Sequence, residues 1–229
     1  MLDKLDPAAV HCRPGHVPLS RLSSQPCIAP CPTCYNYIRP ADSEETAGAF
    51  IAALSASDKP TIISLSRQNL PQYPTYSRRD GVLRGAYVFI EQDDADETLI
   101  GVGSEMRFAV RARGVLRDRF GLAARVVNFP CQRLFERQPR ECTAQVLQYR
   151  AGIPRVVIEA NADNGWERYG DADAGYPMSP FGRSLPREAA YRYFGYDEDL
   201  IAWRVNEFVS EVKRVGGHRE RSGKVQRSR

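Results

Sequence analysis

Ala47, Phe50, Ile51 and Leu54 recur three and four residues apart, which predicts an amphipathic helix with that row as its apolar face. Asp42 with Glu45 three residues on marks its start, and Pro40 stops it extending backwards. The period then changes. Residues 60–65 (PTIISL) are apolar and β-branched, the pattern of a buried parallel strand. A polar stretch with Pro71, Pro74 and Gly81 follows and predicts a linker. Residues 86–91 read as an edge strand and 99–102 as a buried strand that turns into a helix at Gly101-Val102-Gly103-Ser104. That turn lacks the third glycine of a dinucleotide fingerprint, because Met106 holds its place; Ser104 as an N-cap, with Glu105 on the positive helix end, accounts for it. The helix runs to about Phe120. Its predicted inner face is Phe108, Ala109, Ala112, Val115, Leu116 and Phe120, with Arg107, Arg111 and Asp118 facing water. A strand at 124–129, short helices within 132–149 and a strand at 154–160 continue the alternation. Right-handed crossovers in a mostly parallel α/β sheet are expected. Pro186 opens a helix to Tyr193, and 197–214 forms the last one. Leu200, Ile201, Trp203, Val205, Phe208, Val209 and Val212 are available there for docking.

Two polar or aromatic clusters need a decision. Residues 92–97 (QDDADE) hold four acids in five positions but not the glycine and distant glutamate of a calcium loop, so a solvated hairpin turn is expected. Trp166, Tyr169, Tyr176 and Phe181 lie among three glycines. They read as a cover for the sheet edge in preference to a binding box.

The ends differ from the body. Residues 1–34 hold six prolines, His11, His16 and four of the six cysteines: Cys12, Cys27, Cys31 and Cys34. Cys31 and Cys34 form a CxxC. A tetrahedral zinc site completed by Cys27 with Cys12 or His16, a redox pair, and a disordered segment with idle cysteines are the three readings; the missing second ligand couple favours the last. The net charge of +4 resides in the tail, where seven Lys or Arg from Lys213 to Arg229 face one acid, Glu220. Subtracting these from 32 and 28 leaves 25 basic and 27 acidic residues, a net of −2. A near-neutral body with a basic tail gives no register on phosphates, so no nucleic-acid partner is expected. No apolar run approaches the ~20 residues of a membrane span, and no signal-peptide plan opens the chain.

Chemistry is sparse. No histidine lies between Val17 and Gly217, so the body lacks the commonest general base at neutral pH. Cys131 and Cys142 have no histidine partner, and no nucleophile elbow, Walker A or zincin motif occurs. Arg67, at the C-terminal end of the 60–65 strand, is the one placed ligand-binding candidate. Such strand ends face ligands in α/β sheets, and a guanidinium suits phosphate or carboxylate; a surface arginine capping a loop is the plainer account.

Residue identity adds to this. I-R-P-A-D-x-x-E-T-A-G-A from Ile38 and P-T-x-x-x-L-S-R-Q-N-L-P from Pro60 resemble the transketolase family at the end of its pyrimidine-binding domain. Gly85-Ala86-Tyr87-Val88, Ile100 to Met106, Ala124 to Pro130 and Phe194-Gly195-Tyr196 follow in the family's order. Pro130 to Phe135, Val146 to Arg150 and Asn164 to Tyr169 resemble the fungal dihydroxyacetone synthase branch. The resemblance covers about 36–213 of a family chain roughly three times longer, and so implies a C-terminal fragment. It implies a transketolase C-terminal-domain-like three-layer sandwich at 86–214, preceded by a pyrimidine-domain remnant at 35–70 and a linker at 71–85. Residues 1–34 fall outside the family, and 215–229 read as a basic disordered tail.

The resemblance further implies ketol transfer from a ketose phosphate to an aldehyde by the complete enzyme, a homodimer using thiamine diphosphate with Mg²⁺ or Ca²⁺. The acceptor, sugar phosphate or formaldehyde, stays open. The G-D-G…N motif that holds diphosphate and metal is absent here, so this chain alone is expected to be non-catalytic, with no cofactor or metal residues of its own. Arg67 alone carries over, as the substrate's phosphate-binding residue. An alternative is a genuine short protein that pairs with a full-length relative. The cytoplasm is the expected compartment, and the ending Arg-Ser-Arg departs from the S-K-L-type peroxisomal address of that branch.

Overall fold

The computed structural model describes residues 16–18, 35–148, 152–160, 165–171 and 183–225, with the backbone alone at 16–18 and 215–225. Cys12, Cys27, Cys31, Cys34, Tyr176 and Phe181 lie outside the described residues, and so do the zinc and redox readings of the cysteines.

The centre is a four-stranded sheet. Its strands are β4 (Tyr87–Ile90), β5 (Glu97–Gly101), β6 (Ala124–Asn128) and β7 (Arg155–Ile158), in the order β4-β6-β5-β7. β6, β5 and β7 are parallel; β4 joins β6 antiparallel at the edge, with Tyr87 opposite Asn128. Every residue of β5 and β6 is buried, because helices cover both faces.

One face carries α3 (Met106–Val115), continued by a π-helical turn at Leu116–Phe120, together with α6 (Arg187–Tyr193) and α7 (Glu198–Val225). Leu99, Val126, Val156 and Ile158 meet Phe108, Ala109, Ala112, Leu116, Ile201 and Val205 there. The opposite face carries α4 (Gln132–Glu136), α5 (Arg140–Leu147) and the 3-10 turn Trp166–Arg168. On that side Ile100, Val127 and Val157 meet Phe129, Phe135, Leu147, Trp166 and Tyr169. The Trp166 ring meets Phe129 edge-on and the Tyr169 ring meets it tilted, at 5.3 and 4.6 Å between centroids, so both act as cover, on this face of the sheet where cover of its edge was expected.

A second, two-stranded parallel sheet precedes this body: β2 (Asn36–Ile38) beside β3 (Thr61–Ile63), joined by α1 (Ser43–Ser55). α2 (Arg79–Leu83) lies within the span read as a linker and packs against α1. A third pair sets β1 (His16–Pro18) antiparallel to β8 (Ser184–Pro186), which places part of the span read as disordered in a strand. α7 likewise continues past Arg214 to Val225, into the span read as a tail.

Several expectations are corrected. The inner face of α1 is Gly48, Ala49 and Ala52, while Phe50, Ile51 and Leu54 point outward at 52, 41 and 87% exposure. The reason is a close helix approach: a Cβ on Gly48 would stand 2.8 Å from the Arg79 carbonyl oxygen, so only the small-residue face fits against α2. β3 is not a buried strand, since Ile62 is exposed on the side of the pair that α1 does not cover. Residues 92–97 turn between strands that are not neighbours, so no hairpin forms, and Glu97 is fully buried. Arg107 is buried against aromatic rings, away from water. Trp203 is half exposed and faces away from the docking side of α7. Ser104 caps nothing: the helix opens with a 3-10 turn at Gly103–Glu105, and the Ser104 hydroxyl donates to Glu105 at 2.6 Å.

Candidate functional site

Arg67 lies in the loop after β3, exposed, at the C-terminal end of the β2–β3 parallel pair. The loop is fixed on several sides. Ser64 N donates to the Ile38 carbonyl at 2.9 Å, and Gln68 N donates to Ser66 Oγ at 3.1 Å. Gln72 Nε2 holds the Leu70 carbonyl at 3.1 Å, and its own Oε1 accepts from Ser43 N at 3.2 Å, at the start of α1. From the far side of the junction, Arg187 Nη1 donates to the Asn69 carbonyl at 3.1 Å. A guanidinium on such an anchored loop suits an oxyanion, since little chain entropy remains to be lost on binding.

Behind the loop is a buried polar junction that sequence reasoning missed. Arg39, the first residue after β2, is 7% exposed. Its Nη2 donates to Glu105 Oε2 at 2.8 Å and its Nη1 to Glu159 Oε1, while its backbone N–H donates to the Pro130 carbonyl. Burial opposes its charge, but the Glu159 and Glu105 carboxylates outweigh burial and raise its pKa above the ordinary value. A Cβ on Gly103, at φ +54°, would stand 3.2 Å from the Arg39 Cβ, so the glycine leaves room for the Arg39 side chain at this turn. Tyr191 donates to Glu105 at 2.6 Å, and Tyr196 donates to the Glu159 carbonyl at 2.7 Å. Burial first, then Glu105, pushes both phenols up, so both stay protonated donors.

A second node surrounds α1. Asp42 is the N-cap, accepting from Glu45 N at 3.0 Å and from Tyr73 N at 3.2 Å. Glu45 Oε1 accepts from Tyr87 and Asn128, and Oε2 accepts from Ala41 N at 2.7 Å. Burial pushes Glu45 up to about 7 against those hydrogen bonds, which lower it. A carboxyl near 7 has the right pKa for proton transfer, but three donors enclose it and leave it structural.

Among the described residues no three His, Cys, Asp or Glu side chains converge as metal ligands. The donor set therefore does not fit a metal–diphosphate site, and no chemical step through one is assigned to these residues. Cys131 is buried, its thiol pushed up to about 11 by burial, so no nucleophile is prepared there. The sequence signal for Arg39 was present in Ile38-Arg39-Pro40, an arginine immediately past an apolar strand. Nothing local reveals that its partners lie 66 and 120 residues away.

A mostly parallel sheet covered on both faces, with an antiparallel edge strand, defines an α/β three-layer protein. Residues 85–197 match the transketolase-like C-terminal domain family. The chain belongs to the transketolase family through that domain. Among curated relatives it is 46% identical over 179 residues to a dihydroxyacetone synthase of Candida boidinii, covering 78% of this chain and 25% of the relative. It is 37% identical over 180 residues to a probable transketolase of Schizosaccharomyces pombe, covering 79% and 26%. A solved transketolase from Leishmania mexicana superposes with a TM-score of 0.70 at 39% identity, covering 79% of this chain and 25% of that one. The chain thus spans about a quarter of the length of the relatives it matches. No helix among the described residues is long and apolar enough to cross a membrane.

Proposed function

We propose that this chain is the part of a transketolase-type transferase that carries the substrate's phosphate-binding arginine and the C-terminal domain. In the complete protein, a two-carbon ketol unit passes from a ketose phosphate to an aldehyde. The other three quarters of the relatives' length supplies thiamine diphosphate binding and the divalent metal, in a cytoplasmic homodimer. Arg67 holds the donor's phosphate, and the C-terminal domain holds the Arg67 loop in place through Arg187 and Asn69. The observation that carries this reading is the exposed Arg67 on an anchored loop at the end of a parallel strand pair, within a chain 46% identical to a dihydroxyacetone synthase.

A chimera tests it. Residues 36–213 replace their counterpart in the Candida boidinii enzyme, and ketol transfer from xylulose 5-phosphate and from an unphosphorylated donor is measured. The chimera is active, and Arg67→Gln raises KM for the phosphorylated donor by about tenfold or more, the cost of one charge-assisted pair, while the unphosphorylated donor is unaffected. Equal loss with both donors would remove the phosphate role. Incubated alone with thiamine diphosphate, Mg²⁺ and xylulose 5-phosphate, the chain shows no transfer; measurable turnover would overturn the division of labour.

One observation favours a second reading, in which the chain associates with a full-length relative. Phe50, Leu54 and Leu65 are all more than half exposed. A surface of this kind meets another protein layer more readily than water.

A further inference from the structure

We propose that Arg107 and Arg187 form a second oxyanion site, distinct from Arg67, whose place is held in this structure by the carboxylate of Glu188. The inference does not depend on ketol transfer.

The charges at the junction are balanced in number but unevenly shared. Arg39 takes two buried carboxylates, Glu105 and Glu159. Glu105 is further occupied by the Ser104 and Tyr191 hydroxyls. Arg107 and Arg187 are left to share one oxygen of Glu188, at 3.2 and 3.6 Å. The two arginine side chains are 7 and 15% exposed, whereas Glu188 is 65% exposed. Two desolvated cations therefore rest on one solvated, movable anion.

Arg107 cannot move to find better partners. Its guanidinium carbon lies 4.4 Å from the centre of the Phe108 ring and 4.7 Å from that of Tyr191, which fixes it in place. Its Nε and Nη2 are buried with no hydrogen-bond partner among the described residues. Buried donors left this way are costly, and a phosphate, with more acceptor oxygens than one carboxylate and a planar-fork match to guanidinium, answers the deficit. Arg187 is held from its other end by the Asn69 carbonyl, so the pair is preorganised. Burial, then repulsion from Arg107, pushes Arg187 below its ordinary value, which a bound dianion would reverse. The ligand class is a phosphate-type oxyanion, free or as a phosphate monoester.

The test is isothermal titration of the full 229-residue chain with inorganic phosphate, ionic strength held constant with chloride. A parallel titration uses fructose 6-phosphate. Four proteins are compared: wild type, Glu188→Gln, Arg187→Gln and Arg67→Gln, each checked for native circular dichroism. Saturable binding is expected in wild type. Removing the resident carboxylate in Glu188→Gln tightens it by about tenfold, one charge-assisted contact's worth, and Arg187→Gln weakens it by at least as much. Arg67→Gln binds as wild type. Equal affinity for the two ligands identifies the free oxyanion as sufficient, and tighter fructose 6-phosphate binding identifies an ester; both support the site. No saturable binding in wild type or Glu188→Gln overturns it, as does unchanged affinity in Glu188→Gln, which decides the matter even if Arg187→Gln fails to fold. Loss confined to Arg67→Gln also overturns it, while leaving the proposed role of Arg67 intact.

Discussion

Arg39 and Glu159, 120 residues apart in the chain, form a buried ion pair, and that pair joins the β2–β3 unit to the four-stranded sheet. Arg39 follows β2, and Glu159 follows β7 at the far edge of the larger sheet. With Glu105 as the second partner, one guanidinium serves two carboxylates that water hardly reaches. Removing the arginine takes the shared ion-pair partner from both carboxylates. Arg39→Met is therefore expected to destabilise the protein by about 3–5 kcal/mol, the usual cost of breaking a buried pair from one side. Replacing all three residues together with apolar ones costs less, because no charge is then stranded. Urea melts of the single and triple variants check this, and equal losses would show that the charges are not the source.

Gly48 gives a steric prediction. A Cβ there would lie 2.8 Å from the Arg79 carbonyl oxygen and 3.0 Å from Val82 Cβ. Helix propensity alone would make Gly48→Ala stabilising by up to about 1 kcal/mol. The clash with backbone wins, and a net loss of about 1–3 kcal/mol is expected, as in other overpacked sites. A thermal melt decides the sign.

The legible and illegible parts of the chain divide by range. β5, β6 and β7, and the helix through Phe120, follow from apolar runs and periods, because burial on both faces writes a continuous signal. The orientation of α1 did not follow. Its apolar row and its small-residue row both have helical spacing, and what decides between them is α2, some thirty residues on. The same holds for Arg107, whose charge reads as surface until Phe108 and Tyr191 are seen to enclose it. Arg67 could be singled out as a candidate because an exposed residue past a strand end needs no distant partner to be noticed. The Arg39 cluster needed the tertiary fold.

The outward row of α1 predicts behaviour in solution. Phe50 and Leu54 are more than half exposed, so Phe50→Glu with Leu54→Lys is expected to change the stability of the fold by no more than about 0.5 kcal/mol. The same change removes apolar surface available for association. Sedimentation velocity is expected to show weaker self-association for the double variant. A large drop in melting temperature would instead mean that this row packs internally.

Glu97 sets a pH dependence. It lies fully buried at the start of β5, and neither carboxyl oxygen has a hydrogen-bond partner among the described residues. Burial pushes it up to about 8, reinforced by Asp96 and opposed by Lys213, which is itself bonded to Asp96 at 2.6 Å. A carboxyl raised above its unfolded value keeps its proton in the folded state while the unfolded chain has lost it. Between about 4.5 and 8 the folded protein binds the extra proton, so stability falls as pH rises through that window, by about 1.4 kcal/mol per unit at the steepest. Glu45, raised to about 7, adds a slope of the same sign that ends one unit lower. Glu97→Gln keeps the size of the side chain and cannot ionise. Its stability relative to wild type is expected to increase steadily from pH 5 to pH 8 and then level off, since above the folded pKa both states of wild type are ionised. Paired urea melts across that range isolate the Glu97 contribution, because the remaining carboxylates titrate alike in both proteins. A difference that stays flat with pH would mean that Glu97 is ionised and solvated in the folded protein.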